Sequence, residues 1–260
     1  MRKSKMLSKF RRGAFARVCG LGHYLPFFVR HAAHAGYDGI WLDLEHRAMD
    51  PREVQSMLAL CHYNNVDCML RPATLEPAVL YRYLEDGATG FMMPLITDSA
   101  SARRAVEAVK FPPLGNRGVD GAGLDGDYTL AAWDPEVDYF EEANRETLLV
   151  IEIETVEAAD HIEEIAALDG VDALFIGPGD LARRLSVADG ESKRTVPDVV
   201  QQLSDVARRH GKAWGIATGS IEDLERYRQL GAQLVPWGGD FHLLRVLQQC
   251  SQDLDKILNE

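Results

Sequence analysis

Apolar residues along the chain fall into two alternating kinds of run. Short continuous runs read as buried strands, and longer runs with apolar positions three and four apart read as amphipathic helices. "FARVCG" (15–20) predicts a strand, "LPFFVRHAAHAG" (25–36) a helix that stops at Gly36, and "YDGIWLDL" (37–44) a second strand. "PREVQSMLALCHYN" opens on Pro51, whose missing N–H is no loss in a first helical turn, and leads to the strand "VDCMLRP". After it, "PAVLYRYLEDG", "ATGFMMP" and "SASARRAVEAVKF" give helix, strand and helix. Beyond residue 145 come "TLLVIEIE", "VEAADHIEEIAAL", "GVDALFIG", a helix from Leu181, "KAWGIA", "IEDLERYRQLG", "AQLVPWG" and a last helix from Asp240.

The count is eight strands alternating with helices in 260 residues. That number and length fit an α/β protein of the closed (β/α)8, or TIM, barrel class. A doubly wound sheet fits less well, because no Gly-rich phosphate fingerprint follows the first strand. The expectation is one barrel domain over residues 1–260. Residues 112–145 break the rhythm with Gly, Pro and Asp, and a loop of that length predicts an inserted lid or binding loop, closed by a short acidic helix near 135–144.

Composition narrows the partners. Apolar residues at 46% and charged residues at 26% are ordinary for a folded soluble chain. A formal charge of −12 without a Lys/Arg patch argues against nucleic acid. No apolar run approaches the roughly 20 residues that span a bilayer, which argues against a membrane. Small molecules and copies of the same chain remain. Cys19, Cys61, Cys68 and Cys250 form no CxxC pair, which predicts free thiols and a cytoplasmic location. The opening "MRKSKMLSKFRR" has the basic character of a targeting signal, but no apolar run follows before Gly13, and Leu7 and Phe10 suit a short surface helix.

Barrel enzymes build their sites at the C-terminal ends of the strands. Four predicted ends carry residues that a core would reject: "DLEH" (43–46), Arg71 in "LRP", "IEIET" (151–155), and "FIGPGDL" (175–181) with Asp180. Glu152 and Glu154 share one strand face, opposite Ile151 and Ile153, so one pair faces the axis and the other the helices. Two buried like charges side by side call for a cation between them; pairing of Glu152 with a neighbouring Lys or Arg is the alternative. Asp180 follows "GPG", whose turn exposes N–H groups at a helix start, although an Asp there is also an ordinary cap. Two carboxylates without a nearby Cys or His suit Mg²⁺ or Mn²⁺ rather than structural zinc.

Arg71 offers a planar fork for a carboxylate or oxyanion, with a surface ion pair as its other reading. As a rim residue it is expected to contribute little to the core. His46 is the one histidine at a predicted strand end and fits a proton shuttle. Of the lysines only Lys212 is near a strand, at its start, so Schiff-base chemistry is not expected.

"GYDGIWLDLEH", "LRP", "GNRGV", "VIEIET" and "GVDALFIGPGDL", in this order, resemble the HpcH/HpaI aldolases. These are metal-dependent class II pyruvate aldolases of the 4-hydroxy-2-oxoheptanedioate and 2-dehydro-3-deoxyglucarate aldolase type. The resemblance runs from about Gly13 to the last helix. It implies a barrel of the phosphoenolpyruvate/pyruvate type whose last helix is exchanged between subunits of a homo-oligomer, often a trimer of dimers. It also implies Glu154 and Asp180 as ligands of Mg²⁺, Mn²⁺ or Co²⁺, Arg71 on the pyruvyl oxygen, and His46 with Asp43 as the acid–base pair. The Gly179 N–H would meet the pyruvate carboxylate, and Asp180 would also bind substrate. Glu152, Glu85 and Arg117 would support the site; Glu152 stands where relatives often have Gln, and Glu85 where they often have Asp.

The implied reaction is reversible cleavage of a 4-hydroxy-2-oxo acid to pyruvate and an aldehyde, in aromatic or sugar acid catabolism. The same metal-enolate chemistry would serve an oxaloacetate decarboxylase or an acyl-CoA lyase, and a non-catalytic barrel that binds small acids is a third reading. Two stretches depart from the family pattern: Arg17 lies in the first strand, where an apolar residue is usual, and "VDGAGLDGDY" (119–128) replaces a more Ala- and Arg-rich loop.

Overall fold

Proline and short polar caps set where the helices begin. Pro26, Pro51, Pro77, Pro178 and Pro197 each occupy the first turn of a helix, and Asp50, Asp98, Thr155, Thr195 and Ser220 accept N–H groups from first turns. The computed structural model describes residues 2–188 and 194–258. Its strands are β1 (Val18–Leu21), β2 (Gly39–Asp43), β3 (Asp67–Arg71), β4 (Gly90–Met93), β5 (Leu148–Ile153), β6 (Ala173–Ile176) and β7 (Ala213–Ile216). They form one parallel sheet in chain order. The helices are α1 (Lys5–Phe10), α2 (Pro26–His34), α3 (Pro51–Tyr63), α4 (Pro77–Glu85), α5 (Ser99–Val109) and α6 (Tyr139–Glu146). They continue as α7 (Val156–Asp160), α8 (Ile162–Ala166), α9 (Pro178–Val187), α10 (Val196–Arg209), α11 (Ile221–Gln229) and α12 (Leu243–Leu258).

The expected eighth strand is not a ladder strand. Leu234 bridges both Gly215 of β7 and Ala16, and Gly239 bridges Gly20 of β1, so residues 233–239 hydrogen-bond to both edges of the sheet. Extended pairing fails there because Pro236 has no N–H to donate and Gly238 and Gly239 take φ of 92° and 145°.

The sheet has two faces with different partners. Leu149, Ile151 and Ile153 belong to the large cluster shared with the surrounding helices. Leu148 and Val150 belong to a smaller inner cluster with Val18, Met69, Met92, Phe175 and Leu234. The two-residue period then aims Glu152 along the inner row, which resolves the choice that the sequence left open.

α1 is not a surface helix. Met6 and Leu7 are buried in the inner cluster at the N-terminal end of the strands. The fully buried Asp67 ties the segment down by accepting from Arg2 Nη2 at 2.7 Å, Ser4 Oγ at 2.7 Å and the Met6 N–H at 2.8 Å. Apolar side chains are needed to fill the sheet's concave face at that end, and these two supply them.

Residues 112–145 are not a lid over the C-terminal strand ends. They run from α5 to β5, so they lie at the N-terminal end of the sheet, with the acidic helix at Tyr139–Glu146. A buried Arg117–Asp125 pair at 2.6 Å and the Tyr139 hydroxyl on Asp125 at 2.8 Å hold the segment together. α12 has no buried residue. No helix among the described residues is long and apolar enough to cross a membrane.

Candidate active site

Parallel register sets Arg71, the last residue of β3, beside Asp43, the last residue of β2. Arg71 meets Asp43 with two bonds, Nε to Oδ1 at 3.0 Å and Nη2 to Oδ2 at 2.9 Å. Its guanidinium also lies 3.2 Å from Glu45 Oε2 and 3.5 Å from Glu152 Oε1, and it stacks over Trp41 at 4.8 Å. The arginine is therefore the hub of three carboxylates rather than a free rim residue. Burial works against its charge, but the Asp43 bonds and the charges of Glu152, Asp43 and Glu45 outweigh it and raise its pKa. Burial likewise opposes the charge on Asp43, and the Arg71 bonds win, holding its carboxyl below the usual value.

Glu152 is less well served. Its side chain is 2% exposed and its Oε2 has no hydrogen-bond partner. Burial, against the pull of Arg71 and reinforced by Glu154 and Glu45, pushes its pKa up to about 8. Burial raises Glu45 as well. Gly177, just past β6, is what lets its backbone approach the Glu152 and Glu154 side chains. A Cβ there would lie 2.8 Å from Glu152 Oε1 and 3.0 Å from Glu154 Cβ.

Glu154 Oε1 accepts the Leu95 N–H at 2.7 Å, and Leu95 takes the left-handed φ of 56° to present it. Arg184, one turn beyond Asp180 on α9, stands between the two expected metal ligands. It is bonded to the Glu154 carbonyl at 2.7 Å, 4.0 Å from Glu154 Oε2 and 3.5 Å from Asp180 Oδ1. Sequence reading missed Arg184, though the four-residue spacing from Asp180 was a usable signal.

The donors fit a hard divalent cation. They are all oxygen, Asp180 is open to water at 54% side-chain exposure, and beside them the buried Glu45 Oε2 and Glu152 Oε2 have no hydrogen-bond partner. Among the described residues no group of three or more Asp, Glu, His or Cys is close enough to hold an ion alone. Glu154 and Asp180 would leave the other positions to water and substrate.

The other expected residues divide. The His46 ring does not meet Asp43, whose oxygens are taken by Arg71. The imidazole is exposed, 3.7 Å from Glu45 Oε2, while the Glu45 and His46 N–H groups face Asp43 Oδ1 at 3.1 and 3.4 Å. The histidine that an acid does hold at this end is His23, with Nδ1 2.7 Å from Asp240 Oδ2. Sequence gave no sign of that pair, which is 217 positions apart. Gly179 lies in the first turn of α9 with open space where a Cβ would be.

Glu85 and Arg117 are not brought to this site, because Glu85 ends α4 and Arg117 follows α5, which puts both at the opposite end of the sheet. Lys212 is also at that end, with Nζ on the Leu168 and Val171 carbonyls. So is Lys110, an unforeseen buried lysine bonded to the carbonyls of Asn144 and Thr147. Neither reaches the cluster around Arg71.

The model of the HpcH/HpaI aldolase/citrate lyase family matches residues 23–246. The chain belongs to that family. A 5-keto-4-deoxy-D-glucarate aldolase of Klebsiella pneumoniae is 31% identical over 238 residues, which cover 92% of this chain and 90% of that one. The protein of the same name from Salmonella gallinarum is 32% identical over 85% of each. Among solved structures, an HpcH/HpaI aldolase from Desulfitobacterium hafniense has a TM-score of 0.84 at 29% identity and covers 96% of this chain and 95% of its own. Macrophomate synthase, at 17% identity and a TM-score of 0.81, shares the fold. The HpcH/HpaI match takes in every strand end described above, from Asp43 to Asp180.

Proposed function

We propose that the protein is a divalent-metal-dependent aldolase that reversibly cleaves a 4-hydroxy-2-oxo acid to pyruvate and an aldehyde. The observation that carries this reading is Arg71 set among Asp43, Glu45 and Glu152 at the same strand ends as Glu154 and Asp180. A Mg²⁺, Mn²⁺ or Co²⁺ ion held by Glu154 and Asp180 would supply Lewis-acid stabilisation of an enolate.

The chain's own groups do the rest. Arg71, fixed by its double bond to Asp43, offers positive charge to the oxygen that becomes negative when the carbon–carbon bond breaks. The Gly179 N–H, in a first helical turn with no carbonyl to receive it, suits the pyruvate carboxylate. Asp43 holds the turn that carries His46 by accepting its backbone N–H groups, and the imidazole would move the C4 hydroxyl proton. In cleavage the C3–C4 bond breaks, C4 becomes the aldehyde carbon as its hydroxyl proton leaves, and C3 takes up a proton to give pyruvate. This is a step of aromatic or sugar acid breakdown.

The architectural side of the proposal is a closed (β/α)8 barrel over residues 1–260 with 112–145 as an insertion, in a homo-oligomer such as a trimer of dimers. Exchange of α12 between subunits is supported by the exposure of Leu244, Leu247 and Ile257, and by an uncovered groove of about 280 Å³ lined by Phe15, Tyr37, Leu224, Val235 and Trp237. Free thiols at Cys19, Cys61, Cys68 and Cys250 support a cytoplasmic location.

Pyruvate release from a panel of 4-hydroxy-2-oxo acids, with hydroxylated and with apolar aldehyde halves, tests the reading. The expected result is turnover abolished by EDTA and restored by Mn²⁺ or Mg²⁺. Turnover of only oxaloacetate or only acyl-CoA compounds would replace the aldolase with a decarboxylase or a thioester lyase. Binding of pyruvate and metal without any turnover would make it a small-acid-binding barrel.

A further inference from the structure

Beside Asp43 the strand ends open into a recess of about 200 Å³ between β1, Trp41 and the turn at 238–242. Its walls are mainly carbon, from Leu21, Trp41 and Phe241 with four glycines, and His242 completes the lining beside the acids Asp43 and Asp240. The recess exists because the inner row of β1, which carries Ala16 and Val18 below, ends at Gly20 without a side chain. A Cβ at Gly20 would meet nothing closer than the Gly238 oxygen at 4.0 Å.

The opposite wall is tied in place. Asp240 accepts the Gly22 N–H at 2.9 Å and pairs with His23 at 2.7 Å. Phe241 then stacks edge-on with His23 at 5.4 Å and under Arg47 at 5.0 Å. Both acids that line the recess are engaged, Asp43 by Arg71 and Asp240 by Gly22 and His23. An engineered apolar cavity of about 150 Å³ takes up benzene, so a recess of this size and lining has room for a ring. Beyond these acids the lining offers side-chain polar groups only from His242 and Trp41, fewer than a hydroxyl-rich chain needs to keep its hydroxyl groups paired.

We infer that this recess receives the aldehyde half of the substrate and selects an apolar, ring-sized aldehyde over a polyhydroxylated one. The inference rests on the aldolase reading. In the condensing direction C3 of pyruvate gives up a proton and bonds to the aldehyde carbon, and the aldehyde oxygen takes up a proton.

The test uses the full-length Mn²⁺-loaded protein with pyruvate and either benzaldehyde or glyceraldehyde. The expected kcat/KM for benzaldehyde is at least about ten-fold the higher. Gly20→Leu, which fills the recess, is expected to lower that ratio about ten-fold or more. Phe241→Ala, which removes the opposite wall, is expected to lower it too and serves if the first variant does not fold. A wild-type preference for glyceraldehyde, or a ratio that neither substitution moves, overturns the inference. Exchange of the pyruvate methyl protons with deuterium separates the two readings. Exchange without the benzaldehyde preference rejects the recess alone, and no exchange rejects the aldolase reading with it.

Discussion

Replacing Glu152 by Gln keeps the shape of the side chain and removes the charge that its surroundings resist. The carboxyl is 2% exposed, one of its oxygens has no partner, and its nearest cation, Arg71 at 3.5 Å, is shared with Asp43 and Glu45. Burial above all puts its folded pKa at about 8. Below a pH of about 4.3, the ordinary glutamate value, folded and unfolded chains both hold the proton and nothing is lost. As the pH rises further the unfolded chain ionises while the folded one does not. Stability then falls by about 1.4 kcal/mol per pH unit until the folded group also ionises. From 4.5 to about 8 the cumulative cost is on the order of 5 kcal/mol.

Glutamine carries none of that cost. In EDTA, Glu152→Gln is therefore expected to match wild type near pH 4.5 and to exceed it by roughly 3 kcal/mol at pH 7, with a wider gap at pH 8. Urea denaturation at several pH values measures the difference directly. A saturating divalent cation should narrow the gap, because positive charge favours the ionised form. A difference that does not change with pH, or a glutamine variant that is the weaker at pH 8, would refute the reasoning.

Two other substitutions follow from the same cluster. Arg71→Ala leaves three carboxylates without their common cation, so activity should be lost together with about 3–5 kcal/mol of stability at neutral pH; an unchanged denaturation midpoint would contradict the hub. Gly177→Ala puts a methyl group 2.8 Å from Glu152 Oε1 and 3.0 Å from Glu154 Cβ, and should cost about 1–3 kcal/mol and weaken Mn²⁺ binding. Calorimetric titration showing wild-type affinity, beside a wild-type melting temperature, would contradict it.

The alternation of strand and helix was legible because it is local, and so were the prolines and caps that start the helices. What a closing sheet decides was not. Whether Glu152 faces the axis or the helices depends on which side of β5 the helices cover, and two-residue periodicity is symmetric between the two. The Asp43–Arg71 pair needs the register of β2 on β3, and the His23–Asp240 pair needs the chain's two ends to meet. The resemblance supplied residues such as His46 and Asp43 without their geometry, and here their side chains are not in contact. Residues 112–145 are a different case. A helix-to-strand connection always returns to the N-terminal end, so the order of elements already excluded a lid over Arg71.

The opening stretch has the look of a disposable leader, yet it behaves as a stopper. Arg2, Lys9 and Arg11 are each clasped by an acid from elsewhere in the chain, Asp67, Asp38 and Glu146, while Met6 and Leu7 sit in the interior. Trimming residues 2–10 to tidy a recombinant product would strand Asp67 in the dark without the three groups that now satisfy it. Affinity handles therefore belong ahead of this stretch as additions, never in its place.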